Sequence, residues 1–581
     1  MTVVSPTASS RGHSEFFEVA RGGHRARDPL QAMPSGCSAE TDEKKEKHMR
    51  KCIMTIGVLV TAALAAPAIQ AQSTANWPSY NRTLTSERFV PLSGISTVNA
   101  AKLKVVCSFD TGETTAFQSG LVQLDGALFA TTEHDTFSID PNTCKENWRV
   151  HEDFPDSYLG AQRGVAIENG RVFRGAANGR VYAYDQKTGA RLWDTQIADQ
   201  SKGETVPASP IVWQDLVFIG NAGGDNRGVK GRMYALDAAS GKIAWEFYLV
   251  PKKAGDPERG PQGVGAPPAD TWGNAAGIEI AGGGTWTSYS LDPKTGLLYV
   301  PGGNPAPDFA KHLRQGTNLF AGSVVVLDAR TGAYRRHFSI VPHDFHDYDV
   351  SSPPALFTSK NGTAVMALTP KDGFIYAYDR KSGKRLYRLP MTTQINTSVP
   401  MSAKGVRFCP GTQGGAEWNG PAFDPAHDAL ITGQVDWCST VRFDDDDKIK
   451  SVASGQPWTG SSKDGFGQPD PQAKWAGWLT SVDAVTGKQR WKFRAPHPIM
   501  AGVTPTAGNV VFFGDMGGNF YVVNSATGRK LWEQNVGAAI AGGVITYDTG
   551  AGQKVAFSAG LTSKIWPTPK STARIFVLAV E

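Results

Sequence analysis

The segment VPHDFHDYDV (341–350) brings Asp344, Asp347, Asp349, His343 and His346 into ten residues. Such a set can be a metal site, an acid/base site, or a loop whose aspartates close turns. Other candidates are scattered along the chain. In GGGTWTSYSLDPKTGLLYVPGGNPAPDF (282–309), Trp286 precedes Asn304 by eighteen residues, and Asn304 sits in a Gly-Gly-Asn-Pro turn. An asparagine carbonyl held this way is a hard oxygen ligand, and a tryptophan facing a channel can stack on a flat cofactor. In IGNAGGDNRG (219–228) a bend through Gly223 and Gly224 presents Asp225. Arg163, at the start of a strand, suits a carboxylate of a polyanionic ligand, and TPKDGFIYAYD adds Lys371. Taken singly, Trp286 also reads as core, Asn304 as a turn residue and the charges as surface charges. Their meaning depends on a fold that gathers them.

A repeat supplies that fold. TFSIDPNTCKENW (136–148), VYAYDQKTGARLW (181–193), MYALDAASGKIAW (233–245) and VVVLDARTGAYRR (324–336) share one pattern, continued by IYAYDRKSGKRLY (375–387), LTSVDAVTGKQRW (479–491) and FYVVNSATGRKLW (520–532). Each is an apolar strand, Asp or Asn, two residues, a Thr/Ser-Gly pair in most copies, and a second strand that in most copies ends on an aromatic. Asp and Thr/Ser can cap the turn, Gly supplies its positive φ, and the terminal Trp can wedge between adjacent sheets. Many separations match a four-stranded propeller blade. Seven clear copies, with a degenerate one around YSLDPKTGLLYV (289–300), predict an all-β, eight-bladed β-propeller with tryptophan-docking repeats, closed by pairing RIFVLAVE with N-terminal sequence. Two Gly/Pro-rich insertions, 251–284 and 444–475, are expected to crown one face and shape the channel mouth. The acid run Asp444–Asp447 reads as a solvated loop.

Bulk properties agree. The 581 residues include 64 Gly and 36 Pro, a turn load that favours β architecture. Net charge is +5 with no Lys/Arg block outside the first fifty residues, which argues against a nucleic-acid partner. MRKCIMTIGVLVTAALAAPAIQAQ reads as an export signal over 49–71, with 1–48 a leader or misplaced start and 72–581 the mature propeller, without a membrane span. The mature chain keeps Cys107, Cys144, Cys409 and Cys438, an even number that suggests disulfides 107–144 and 409–438. No Cys-x-x-Cys-His occurs.

Read together, these residues resemble the pyrroloquinoline-quinone (PQQ)-dependent alcohol dehydrogenases, quinoproteins related to methanol dehydrogenase, over nearly the whole mature chain. The resemblance rests on the docking repeats, the GNPAP turn after a channel tryptophan, and PHDxxDYD followed by Lys-x-Gly-Phe-x-Tyr. It implies Trp286 as the floor under the quinone, with Gly223, Gly224 and Trp418 also against the cofactor. Arg163 would bind a cofactor carboxylate and Lys371 the reacting ortho-quinone. Asp347 would be the base. Asp225, which replaces the family's usual Glu, would join Asn304 and Asp347 on a cation. Asp349 resembles the extra acid of lanthanide-dependent members; related calcium or magnesium enzymes have a similar Asp-x-Asp, and Ca2+ is the first choice. If 347–349 is extended, both acids point to one side. Asp344 and the two histidines are expected to shape the turn.

The sequence also departs from the family. The adjacent Cys-Cys pair that covers the quinone in many members should fall near Ser157 and Tyr158, and is absent; Tyr158 or Leu159 would cover instead. Met500 stands near an expected Trp, and Glu417 where members often carry Asn. These changes imply a roomier pocket and a bulky primary or secondary alcohol, such as polyvinyl alcohol or a toxin hydroxyl like that of deoxynivalenol. The closest resemblance is to haem-free polyvinyl-alcohol dehydrogenases, with electrons passing to a soluble periplasmic cytochrome c. Alternatives are a sugar- or polyol-oxidising quinoprotein and a non-catalytic outer-membrane assembly scaffold with the same docking repeat.

Overall fold

The computed structural model describes residues 75–463 and 465–581; the leader and export signal lie outside the described residues. The described chain folds almost entirely into antiparallel strands, including eight four-stranded sheets. Seven are built from four strands in sequence order, such as Ile211–Trp213, Leu216–Gly220, Arg232–Asp237 and Ile243–Tyr248. The eighth joins Ile540–Asp548, Gln553–Ala559 and Arg574–Val580 to the N-terminal strand Leu103–Asp110, with Leu103 opposite Val580. The expected pairing of the two ends is therefore present.

One expectation is corrected. The degenerate copy at 289–300 does not found a sheet of its own. It forms the first two strands, Ser290–Asp292 and Leu297–Pro301, of the sheet whose last two strands carry the 324–336 repeat. A tight Asp-to-Gly turn suits either hairpin of a sheet, so turn chemistry alone could not tell them apart.

The repeat works as its residues suggest. Asp185 Oδ1 accepts the backbone N–H groups of Lys187 (3.0 Å) and Thr188 (2.9 Å), and Asp237, Asp328, Asp379 and Asp483 cap their turns alike. The outer-strand aromatic then docks on the next sheet's turn. Trp245 Nε1 donates to Ala329 O (2.9 Å), and a Cβ added at Gly332 would lie 2.7 Å from the Trp245 ring. Trp148, Trp193 and Trp491 repeat this bond on Gln186, Ala238 and Ser525. Where the aromatic is missing, Arg336 Nη1 donates to Arg380 O (3.1 Å) in its place. Apolar side chains of neighbouring sheets fill the space between, as where Phe218 and Trp245 join Leu298 and Val325.

Disulfides Cys107–Cys144 and Cys409–Cys438 are both present. The insertion 444–475 contains Asp446–Ser451, a short α-helix capped by Asp445, whose side chain accepts the Lys448 N–H (2.8 Å). The acid run is thus partly a helix start, where carboxylates meet unpaired amides, in place of the expected solvated loop. No helix among the described residues is long and apolar enough to cross a membrane.

Replacing Trp245 by Ala removes a buried ring and its docking bond at once, and is expected to cost about 3–5 kcal/mol. Arg336→Ala, at the degenerate position, should cost about 1 kcal/mol or less. Urea denaturation of the two variants checks the difference.

Candidate active site

In an antiparallel four-stranded sheet, the start of the first strand and the end of the second lie at the same edge. The chemical residues all occupy these two places. Arg163, Trp286, Asp347, Asp349 and Trp418 precede first strands beginning at Ala166, Ser290, Ala355 and Ala422. Asp225, Asn304 and Lys371 follow second strands ending at Gly220, Pro301 and Leu368. Five sheets thereby deliver their loops to one cavity of about 680 Å³, within the range of small-molecule sites. All the sequence-predicted site residues line it, Gly223 and Gly224 included. Of the two insertions, 444–475 supplies much of the wall through Ile449, Trp458 and Phe466, while 251–284 contributes Gly284.

The backbone of the opening segment is not extended. Asp347 has φ of 65°, in the left-handed region that aspartate tolerates better than most residues. Asp344 holds this turn by accepting the N–H groups of His346 (3.2 Å) and Tyr348 (2.9 Å). His346 packs between Phe345, Tyr348 and Phe408, and burial, aided by Lys311, pushes it down to about 3, so it is neutral. His343 hydrogen-bonds Lys311 O (3.2 Å). Neither histidine joins the acidic group in the cavity.

Despite the twisted backbone, Asp347 and Asp349 converge on one cation. Lys371 Nζ lies 2.8 Å from Asp349 Oδ2 and 3.3 Å from Asp347 Oδ2. Asp349 Oδ1 also accepts the Asn304 N–H (2.9 Å), a contact that needs Gly303, because a Cβ there would meet Asp349 Oδ1 at 2.6 Å. Gly223 (φ 98°) is likewise required, since a Cβ would strike Gly203 O. Asp225, Asp347 and a residue the sequence reading passed over, Asp308, have carboxylate oxygens within 4.8 Å of one another. Asp308 follows the GNPAP turn by two residues beyond its Ala; an acid so close to Asn304 was a signal for it.

Electrostatics dominate this cluster. Burial, with Asp349 adding to it, raises Asp225 to about 6, against Lys371 and an Asn304 hydrogen bond. Burial raises Asp347 well above the carboxylate range; Lys371 opposes this and Asp349, Asp225 and Asp344 add to it. Burial also raises Asp308, reinforced by Asp225 and Asp347. For Lys371, burial is outweighed by Asp347, Asp349 and Glu417, which keep it charged. Carboxylates so placed either hold protons or share a cation.

The other half of the cavity suits a flat anion. Trp286 presents a half-buried ring, with Arg163 Cζ 4.5 Å and Lys371 Nζ 5.6 Å from its centroid. Arg163 donates to Trp286 O (3.1 Å) and Gln118 Oε1 (2.8 Å) and also faces the Trp418 ring (5.2 Å). Its buried Nε has no partner. Tyr158 and Leu159 stand exposed at the cavity rim. Met500 does not line the cavity; it is buried behind Trp418 with Met516 and Trp566, so its identity does not set the room available. An unpaired guanidinium nitrogen, an aromatic face and crowded buried carboxylates, that of Asp308 without a partner, fit an anionic quinone together with a hard cation.

Comparison with known proteins agrees. The family described as "Glucose/ethanol/alcohol dehydrogenase, beta-propeller domain" (PQQ) matches residues 77–394. A second family, outer membrane protein assembly factor BamB, matches 476–574, a stretch that carries docking repeats but not Asp225, Asp308, Asp347, Asp349 or Glu417. Quinohemoprotein alcohol dehydrogenase ADH-IIG of Pseudomonas putida is 32% identical over 525 residues, covering 84% of this chain and 72% of that protein. A lanthanide-dependent methanol dehydrogenase of Methylacidiphilum fumariolicum is 26% identical over 514 residues, covering 81% of this chain and 82% of that protein. Among solved structures, ADHIIG from Pseudomonas putida HK5 superposes with a TM-score of 0.78 at 25% identity, covering 87% of this chain and 80% of that one. The fold is thus the all-β propeller expected. The chain belongs to the PQQ-dependent alcohol dehydrogenase family and is a quinoprotein enzyme.

Burial pushes Glu417 up to about 8; Lys371 and Arg163 oppose this and Asp349 adds to it. A raised carboxyl keeps in the native state a proton that the unfolded chain releases near pH 4. Its stabilisation is therefore complete below about pH 4 and is lost as pH rises through about 8. The melting temperature of the metal-free chain should fall over that window, and Glu417→Gln should make the fall shallower.

Proposed function

We propose that this enzyme is an exported, periplasmic dehydrogenase that oxidises a bulky primary or secondary alcohol to an aldehyde or ketone, and that each of its eight four-stranded sheets is one blade. The observation that carries the reading is the convergence of Asp347, Asp349 and Lys371 beside the Trp286 face, next to the unpartnered carboxylate of Asp308. Trp286 and Trp418 would hold the quinone, Arg163 would pair with one of its carboxylates, and the bend at Gly223 and Gly224 would let the backbone approach it. Asp225, Asn304 and Asp347 would hold a hard cation, calcium or a lanthanide, with Asp349 beside them. When bound, PQQ supplies the electrophilic carbon that takes the hydride, and the cation polarises its carbonyl.

The chain's own residues then have defined tasks. Asp347 accepts the substrate hydroxyl proton at a carboxylate oxygen. It can do so only when ionised, and its burial among acids opposes that. A cation beside it reverses the balance. Lys371, already within 3.3 Å of Asp347, orients the carboxylate and offers N–H donors into the cavity. Exposed Tyr158 and Leu159 give the rim an apolar lip, which favours a large substrate over methanol. In this reading electrons would leave to an external cytochrome c. A sugar- or polyol-oxidising quinoprotein would use the same residues and differ in substrate.

The purified chain, supplied with PQQ and either Ca2+ or La3+, should reduce an artificial electron-accepting dye with secondary or polymeric alcohols faster than with methanol. Absence of PQQ-dependent turnover with every alcohol and polyol would sink the reading. Asp347→Asn should lower kcat about 100-fold or more while PQQ still binds; retained turnover would move the base elsewhere.

A further inference from the structure

Asp308 is fully buried, and neither of its carboxylate oxygens accepts a hydrogen bond. Its main chain, by contrast, is pinned. Arg314 donates to Asp308 O (2.7 Å), Pro307 O (3.1 Å) and Asn318 Oδ1 (3.0 Å), and the neighbouring Phe309 N–H donates to Thr459 O (2.8 Å). The guanidinium that could have neutralised the carboxylate is thus bonded to carbonyls. The backbone bonds fix where the side chain starts, and its oxygens lie within 4.8 Å of those of Asp225 and Asp347. The other acidic group of comparable density, Glu133, His134 and Asp156, is different in kind. It is partly exposed and satisfied internally, with His134 Nε2 3.0 Å from Asp156 and Glu133 accepting the Ser157 N–H (2.6 Å).

The geometry points to Asp308 as a direct ligand of the cation, in a site whose charge suits a trivalent ion over a divalent one. This rests on the reading above that the ring holds a cation. Lys371 stands nearest Asp349 and offsets that acid's charge. The remaining ring, Asp225, Asp308 and Asp347, brings three negative charges when ionised, and the Asn304 side chain, hydrogen-bonded to Asp225, adds none. A divalent ion leaves one buried negative charge uncompensated, and a trivalent ion leaves none. Because attraction scales with the product of the charges, each added carboxylate favours the ion of higher charge. Asp308 does not open onto the cavity, so it can serve the ion without competing with quinone or substrate for space.

The test is metal binding by the full chain stripped with EDTA. Tb3+ is titrated with tryptophan-sensitised emission as the readout, in competition with La3+ and Ca2+, without PQQ and again with it. The expected result is binding of Tb3+ and La3+ on the order of 100-fold tighter than Ca2+. Asp308→Asn should weaken Tb3+ on the order of 100-fold and Ca2+ about tenfold, narrowing the discrimination. A merely structural role predicts a lower melting temperature for the stripped variant. A ligand role predicts one equal to or above wild type, since a like charge leaves the ring, with a smaller rise on adding Tb3+. Asp308→Ala is read in the same assays and answers if the Asn variant does not fold.

Unchanged Tb3+ affinity in Asp308→Asn overturns the assignment, as does a wild-type chain that binds no Tb3+ with or without PQQ. Equal losses for Tb3+ and Ca2+ overturn the charge preference. Turnover separates this from the functional reading. Loss of Tb3+ binding in a chain that oxidises no alcohol keeps the ligand and removes the proposed reaction. PQQ-dependent turnover with unaltered Tb3+ binding does the reverse.

Discussion

A cluster of carboxylates buried without enough positive charge is the constraint on which this molecule is organised. Asp225, Asp308 and Asp347 crowd one point, Asp349 and Glu417 stand nearby, and Lys371 and Arg163 are the cations facing them across the cavity. Water would solvate such acids at no cost; a protein interior does not. The arrangement persists because the backbone imposes it. Asp225 and Asn304 follow second strands and Asp347 precedes a first strand, so three sheets hold the acids in place before any ligand arrives. If Asp347 is the base and the ring holds a cation, as proposed, catalytic competence and metal loading are one equilibrium, since Asp347 ionises readily only where positive charge is added beside it.

Holding five loops to this tolerance demands a stiff support. The docking repeat provides it by fixing each sheet against the next through a ring, a glycine and one N–H donor, as with Trp245, Gly332 and Ala329. Closure through Leu103–Asp110 places the N-terminal strand in the last sheet, and the Cys107–Cys144 disulfide ties that strand to the first sheet. Local strain is then affordable where chemistry needs it. Asp347 keeps its left-handed backbone because Asp344 bonds the amides that follow, and Gly303 lets Asp349 approach the Asn304 amide.

Much of this was legible in the chain before folding. The repeat announces its sheets because each copy carries its own turn chemistry and its own docking aromatic. Trp286, Asn304, Asp347 and Lys371 stand out because their spacing accompanies that repeat. What escaped was set by long-range placement. Asp308 looks like one more loop acid until the strap around Thr459 and the guanidinium of Arg314 show its carboxylate unpaired. Met500 reads as a pocket residue until packing puts it behind Trp418. The 289–300 turn reads as a separate unit because a hairpin's sequence does not record which half of a sheet it occupies.

The strap formed by 444–475 touches both acidic turns through main-chain atoms. The Trp458 N–H donates to Asp225 O (2.7 Å), the Gly455 N–H to Arg227 O (2.8 Å), and Thr459 O accepts from Phe309. Its side chains Ile449, Val452 and Trp458 line the cavity and also pack with Ala306, Ala310 and Leu313, on either side of Asp308. Amide-to-carbonyl bonds are indifferent to side-chain identity. The apolar packing is not: a substitution at Ile449, Val452 or Trp458 reshapes the cavity wall and the packing beside Asp308 together, so on the proposed reading substrate range and metal site are coupled through this one segment.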